Sequence, residues 1–227
     1  MVKMFALIPA RTDLSLGHFH EHWRTRHREL ALGLDTLRRY VQCHRLELPL
    51  EVPPEDPIEG IALVWFEDVD AALGMIDDPT FVNDIAPDEF NFMDVEKRRF
   101  LFTEEEETVI DGSLPQGEGA VKMTLLLRRA EGAAAADFAA WWKGPQLELL
   151  GRCFAGAVRA TASVAIAEAN DPAVEIDAIA ELWWPDAASL EGGWAQWWAA
   201  YVDGSAGRID APASTRFVSA DLWVIGP

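Results

Sequence analysis

The chain is short of positive charge, of cysteine and of tyrosine, and no long apolar run breaks its pattern. Lys and Arg total 19 against 38 Asp and Glu, a formal net charge of -19. That balance disfavours nucleic acid or an anionic membrane as a partner, because either needs a positive footprint. The two cysteines, Cys43 and Cys153, form no C-x-x-C pair, so neither a disulfide framework nor a thiolate metal site is expected. The N-terminus opens directly on a strand-like run, without a basic segment ahead of an apolar one. No stretch approaches the roughly 20 apolar residues that cross a bilayer. A cytoplasmic location is the expectation. Also missing are a P-loop, G-x-G-x-x-G, G-x-S-x-G and H-E-x-x-H.

What the chain does have is a repeat. Val2-Lys3-Met4 recurs as Val121-Lys122-Met123, and at the same spacing Phe19 matches Phe138, Trp23 matches Trp142 and Glu29-Leu30 matches Glu148-Leu149. One residue closer, Ile61-Ala62 and Trp65 match Ile179-Ala180 and Trp183. A near-constant spacing over most of the chain indicates a tandem duplication. The two copies differ in chemistry. All five histidines (His18, His20, His22, His27, His44) fall in the first, and eight of the ten tryptophans fall in the second. One copy would hold a working site and the other would support it.

Each copy reads β-α-β-β-α-β. In the first, strands are expected at 3–8, 37–46, 61–66 and 99–103, with helices from Asp13 or Ser15 to about Leu32 and over 69–76. A longer irregular stretch joins the second helix to the last strand. In the second, strands are expected at 121–127, 157–167, 178–184 and 216–225. Its helices run over 137–143, broken early by Gly144-Pro145, and over 190–201. The fold class is therefore α+β, with two ferredoxin-like units fused in tandem. The first covers 1–112, a Gly- and Pro-rich linker covers 113–119, and the second covers 120–227. A four-stranded sheet with helices on one face must cover the other. Two such sheets within one chain would form a pseudo-dimeric α/β barrel, with further pairing of fused chains left open.

The first helix carries the polar residues of interest. At about 100° per residue, Phe19, Trp23 and Leu30 share a face with Arg26, and His22 and His27 flank it. A buried cation must be paired and a buried imidazole must be hydrogen-bonded. The corresponding positions of the second copy are Pro145 and Gln146, so the fold itself does not require the Arg-His pair. On the second strand, Tyr40, Gln42 and His44 alternate with Val41 and Cys43. If the apolar side meets the helices, the polar row faces the space between the sheets, opposite Ala160, Ala162 and Val164. That would make an apolar cavity with a few placed polar groups, the usual character of a small-molecule site. His18 and His22 could grip a metal at i, i+4 spacing, but nothing obvious completes the set, and no metal is expected. Glu104 to Glu107 reads as a solvated edge guard.

Phe19, Trp23 and His27, followed by Leu37-Arg38-Arg39-Tyr40-Val41-Gln42, resemble the EthD family of the dimeric α/β barrel superfamily. Asp68, the Asn91-Phe92-Met93-Asp94 segment and the Phe102-Thr103-Glu104 ending are also similar to that family. The likeness spans about residues 2 to 110, and the second copy is a degenerate version of it. It implies a ferredoxin-like fold, a barrel formed by sheet association, and a cleft between sheet and helices. It also implies work on ethers, aromatic compounds or polyketides, in some relatives without a cofactor and in others with haem. The expectation is a cofactor-independent enzyme of small-molecule catabolism or secondary metabolism, of the isomerase, dehydratase or cyclase type. His27 would be general acid/base, with Arg26, Tyr40 and His44 as catalytic partners. Trp23, His22, Arg39, Gln42, Trp65 and Asp94 would bind a hydrophobic cyclic or aromatic substrate. A non-catalytic binding protein and a haem- or oxygen-dependent oxidoreductase are the alternatives.

Overall fold

A computed structural model of the chain describes residues 1–115 and 119–226; three residues of the expected linker, 116–118, lie outside the described residues. Nine strands form one antiparallel sheet: β1 (Val2–Ile8), β2 (Arg39–Arg45), β3 (Gly60–Phe66), β4 (Arg99–Thr103), β5 (Glu107–Ile110), β6 (Val121–Leu127), β7 (Arg159–Val164), β8 (Ala178–Trp184) and β9 (Thr215–Ile225). Their spatial order is β4-β1-β3-β2-β9-β6-β8-β7-β5. Read as two halves, β4-β1-β3-β2 and β9-β6-β8-β7 are the same order with equivalent strands. The open edges then meet. Glu104 N–H donates to Val164 O (3.1 Å), Ile166 N–H donates to Phe102 O (3.0 Å), and β5 pairs with β7. The sheet closes into a barrel with two like seams.

β1, β3, β6 and β8 are buried at every residue. This is why they read as apolar runs rather than as half-solvated alternation. Alternate side chains still go to different cores. Val2, Met4, Ala6 and Ile8 join a cluster under the helices of the first half. Phe5 and Leu7 point into the barrel with Val41, Cys43, Leu63, Leu126 and Phe217. Val121, Met123, Leu125 and Leu127 join a third cluster, under the helices of the second half.

The helices start where the caps predict. α1 (Leu16–His22) begins at Ser15, whose Oγ accepts from His18 N–H at 3.2 Å, satisfying a donor the first turn leaves open. It continues as a π-turn (Trp23–His27) into α2 (Arg28–Ala31). Asp68 caps α3 (Val69–Gly74), and in the second half Asp186 caps α7 (Ala187–Glu191) in the same way. Four features depart from expectation. The stretch before β4 is not irregular: a π-turn (Phe81–Ile85) leads into α4 (Ala86–Glu89), where Pro87 has no N–H to lose. Gly144-Pro145 does not end the helical region, because Pro145 opens a new helix after α5 (Ala135–Trp142), namely α6 (Pro145–Cys153). Gly192-Gly193 separates α7 from α8 (Trp194–Gly204). The acidic run is not wholly solvated, since Glu106 turns inward to Lys3 Nζ at 2.6 Å. Among the described residues, no helix is long and apolar enough to cross a membrane.

Candidate functional site

Between the first-half sheet and its helices lies an apolar cavity of about 60 Å³. Met4, Ala62, Val64 and Ile85 supply greasy wall, while His27, Tyr40, Glu89 and Arg98 supply its polar groups. At roughly 15 Å³ per water by the same measure, it has room for about four waters.

The π-turn decides which helix residues reach the cavity. A wider turn advances less than the 100° per residue of an α-helix, so His27 swings to the middle of the buried face and Arg26 swings off it. His27 is 6 % exposed, whereas Arg26 is in solvent. The expectation that Arg26 lies on the buried face is thus overturned by a local change in helical pitch.

His27 Nδ1 is 3.0 Å from Asp88 Oδ2, and His22 Nε2 is 2.9 Å from Asp88 Oδ1. Asn91 Nδ2 donates to the same Oδ1 at 3.2 Å. Burial pushes the Asp88 carboxyl up, but the bonds from His27, His22 and Asn91 outweigh it and hold the group at about 2. Asp88 is therefore ionised and both imidazoles donate to it. Burial is also the main influence on His27, pulling it below its usual value of 6.5 against the opposing pull of Asp88. At neutral pH His27 is a neutral imidazole with Nδ1–H on a carboxylate. Its Nε2 lone pair is left for the cavity, as a general base requires.

Tyr40 stands on the sheet side. Gln42 Nε2 donates to Trp23 O (2.8 Å) and to the Tyr40 hydroxyl (2.9 Å). Gln42 Oε1 must then accept from His44 Nε2 (3.2 Å), leaving His44 Nδ1 to accept from His20 Nδ1 at 3.0 Å. Every donor in this chain points towards Tyr40. The tyrosine oxygen receives a bond, so its own hydrogen is free to turn to the cavity. Burial pushes Tyr40 up to about 12 and, with Arg24 and His20 nearby, holds His44 down at about 3. The phenol stays protonated and His44 stays neutral. The amide of Gln42 passes no proton without tautomerising, so the chain orients the phenol rather than conducting to it.

The other sequence-predicted residues scatter. Trp23 lines the cavity and His22 sits behind it on Asp88. Gln42 and His44 back Tyr40. Their row faces the helices, not the space between the sheets, and it is Val41 and Cys43 that enter the barrel. Ala160, Ala162 and Val164 lie under the second-half helices and do not oppose that row. The barrel interior holds apolar side chains from both halves together with the buried Lys3, Lys122 and Glu181, and the polar row of β2 lies on the helix side. Arg39 and Trp65 share the parity of Val41 and Leu63 and so belong to the barrel mouth. Asp94 faces away, paired with Lys97 at 2.8 Å. His18 and His22 have ring centroids 5.9 Å apart. Among the described residues, no group of three His, Cys, Asp or Glu side chains is placed to hold a metal ion. Sequence reasoning missed Asp88, Glu89 and Arg98, the last two being ion-paired at the cavity. A signal existed, since Ala86-Pro87-Asp88-Glu89 is a helix start with acids in the first turn.

The matching space of the second half is filled. Gln146, at the place of His27, donates to Tyr201 Oη at 2.8 Å. Phe154, Trp194, Trp198 and Tyr201 pack there with ring centroids 5.4 to 6.3 Å apart.

Residues 11–96 match the family model of the EthD domain. No curated protein matches the sequence. Among solved structures, an anthrone oxidase-like protein superposes with a TM-score of 0.68 at 11 % identity, covering 99 % of this chain and 94 % of its own. A variant chlorite dismutase from Candidatus Nitrospira defluvii, in complex with cyanide, gives a TM-score of 0.55 at 10 % identity, covering 96 % and 90 %. Both have the dimeric α/β barrel fold, and so does this chain.

Proposed function

We propose that this chain, a dimeric α/β barrel with an EthD domain over residues 11–96, is a cofactor-independent enzyme that moves a proton on a hydrophobic cyclic or aromatic carbonyl compound. The observation that carries the reading is the Asp88–His27 pair set across an apolar cavity from the Tyr40 hydroxyl. His27 Nε2 takes a proton from carbon next to the carbonyl, and Asp88 stabilises the imidazolium that forms. The electrons move onto the carbonyl oxygen, where Tyr40 O–H donates to the enolate. Return of the proton to another atom gives isomerisation, and loss of a β-hydroxyl gives dehydration. Attack of the enolate on a second carbonyl gives cyclisation.

A second reading keeps the same proton abstraction and passes the enolate electrons to dioxygen. What favours it is the whole-chain likeness to an anthrone oxidase-like protein. Anthrone tests both readings. With the protein under nitrogen in deuterated water, the expected result is catalysed exchange of the anthrone methylene hydrogens. Under air, oxidation to anthraquinone and water with consumption of one dioxygen marks the second reading. Exchange that persists in full in His27→Ala would remove His27 from the mechanism. Binding without exchange or oxidation would favour a carrier.

A further inference from the structure

The duplication kept one polar row in both halves, and it is not the row of the helix-side cavity. In the first half Trp65 is the cross-strand partner of both Lys3 and Arg39. In the second half Trp183 is the partner of both Lys122 and Arg159. Lys3 Nζ lies 4.5 Å from the Trp65 ring and Lys122 Nζ lies 5.5 Å from the Trp183 ring. Two like Lys-Trp-Arg rows therefore meet at one mouth of the barrel. His27, Tyr40, Gln42 and His44, by contrast, have no counterpart of the same type in the second half.

A cavity of about 220 Å³ lies between the rows, larger than the helix-side one, and Trp223 adds a third indole to its wall. Its floor is an ion network. Glu181 bonds both lysines, Glu106 bonds Lys3, and Asp221 bonds Lys122 at 3.0 Å. These three carboxylates answer the two lysines. They leave the arginines at the rim. Arg159 donates to Gly112 O at 3.0 Å and has Asp111, itself in solvent, at 3.7 Å. Arg39 has no carboxylate partner among the described residues and lies 6.0 Å from the Trp65 ring. An interior that needed only a satisfied ion cluster would not require an indole-walled mouth with arginines at its rim.

We propose that this mouth is a second small-molecule site, taking a planar aromatic carboxylate. The ring lies against the tryptophans, where the π-faces match, and the carboxylate meets the planar fork of Arg39, whose geometry suits it. The site is separated from the helix-side cavity by the sheet itself, since Arg39 and Tyr40 are successive residues on opposite faces of β2.

The test is titration of the full chain with 2-naphthoate, followed by tryptophan fluorescence and calorimetry, against the neutral 2-naphthamide. The expected result is one naphthoate per chain, bound at least tenfold tighter than the amide. Arg39→Met should erase that preference while leaving amide binding in place, and Arg39→Lys should restore part of it. Tyr40→Phe and His27→Ala should leave naphthoate binding unchanged. Equal affinity for acid and amide, loss of binding in Tyr40→Phe instead of Arg39→Met, or no saturation by millimolar naphthoate would each overturn the assignment. None of these titrations measures proton exchange on anthrone, so the two sites stand or fall separately.

Discussion

Acidification from pH 7 to pH 4 should remove about 3 kcal/mol of stability through His44 alone. His44 is 6 % exposed and its ring packs 4.5 Å from that of Trp23. Burial, aided by Arg24 and His20, holds it down at about 3 from its usual 6.5. Below pH 6.5 the unfolded chain therefore takes up a proton that the folded chain refuses. Stability falls with pH at about 1.36 kcal/mol per pH unit until the folded state also protonates near 3. Two and a half units separate 6.5 from 4, hence the ~3 kcal/mol. The assay is urea unfolding at pH 7, 5.5 and 4, for wild type and for His44→Gln. Glutamine keeps an N–H donor for Gln42 Oε1 and does not titrate. The variant should be the less stable protein at pH 7, where it loses the ring contact, and should gain on wild type steadily towards pH 4. With a urea m-value of roughly 1–3 kcal/mol/M, the relative shift of midpoint is about 1 M or more. The same direction of shift at His27, which does not touch His44, affects both proteins and cancels in the comparison. Asp88, held at about 2 against its usual 3.8, gives up its contribution only below that window. Midpoints that fall in parallel would refute the assignment of His44 as a buried neutral imidazole.

Three other perturbations probe separate parts of the molecule. Asp88→Asn removes the charge that stabilises the His27 imidazolium. It should lower the catalysed exchange of anthrone hydrogens by roughly 10²–10⁴-fold with little change in the concentration for half-saturation. Gly60→Ala places a methyl 2.3 Å from Trp23 Cζ3 and should cost roughly 1–3 kcal/mol of overpacking, read as a fall in Tm of several degrees. Glu181→Gln leaves Lys3 and Lys122 short of their shared carboxylate in the barrel and should destabilise the fold by about 3–5 kcal/mol in urea. An effect near zero would show that Glu106 and Asp221 suffice.

The fold was legible because its signals are local and repeated. Val2-Lys3-Met4 and Val121-Lys122-Met123 are equivalent strands, and Asp68 and Asp186 cap equivalent helices. Half the candidate site was legible for the same reason: His27, Trp23 and Tyr40 do line the cavity. What failed was angular. A wheel at 100° per residue puts Arg26 inside, and one π-turn puts it outside. Strand parity sorted Tyr40, Gln42 and His44 from Val41 and Cys43 correctly, but parity does not say which face meets a helix. Here Val41 and Cys43 went to the barrel interior and Tyr40 to the helix side. Asp88 escaped because its partners His22 and His27 are more than sixty residues away, and only the packing of α4 against the first helical segment brings them together.

The two like seams of the barrel have a genetic consequence. In a dimer of identical chains every codon change is expressed twice, so a cavity cannot be opened on one side and filled on the other. A single gene that spans both halves lifts that constraint. Phe154, Trp194, Trp198 and Tyr201 could fill one side with packed rings while His27, Tyr40 and Asp88 stayed around a space on the other. The mouth where the halves meet still feels both, and there the Lys-Trp-Arg rows remain paired.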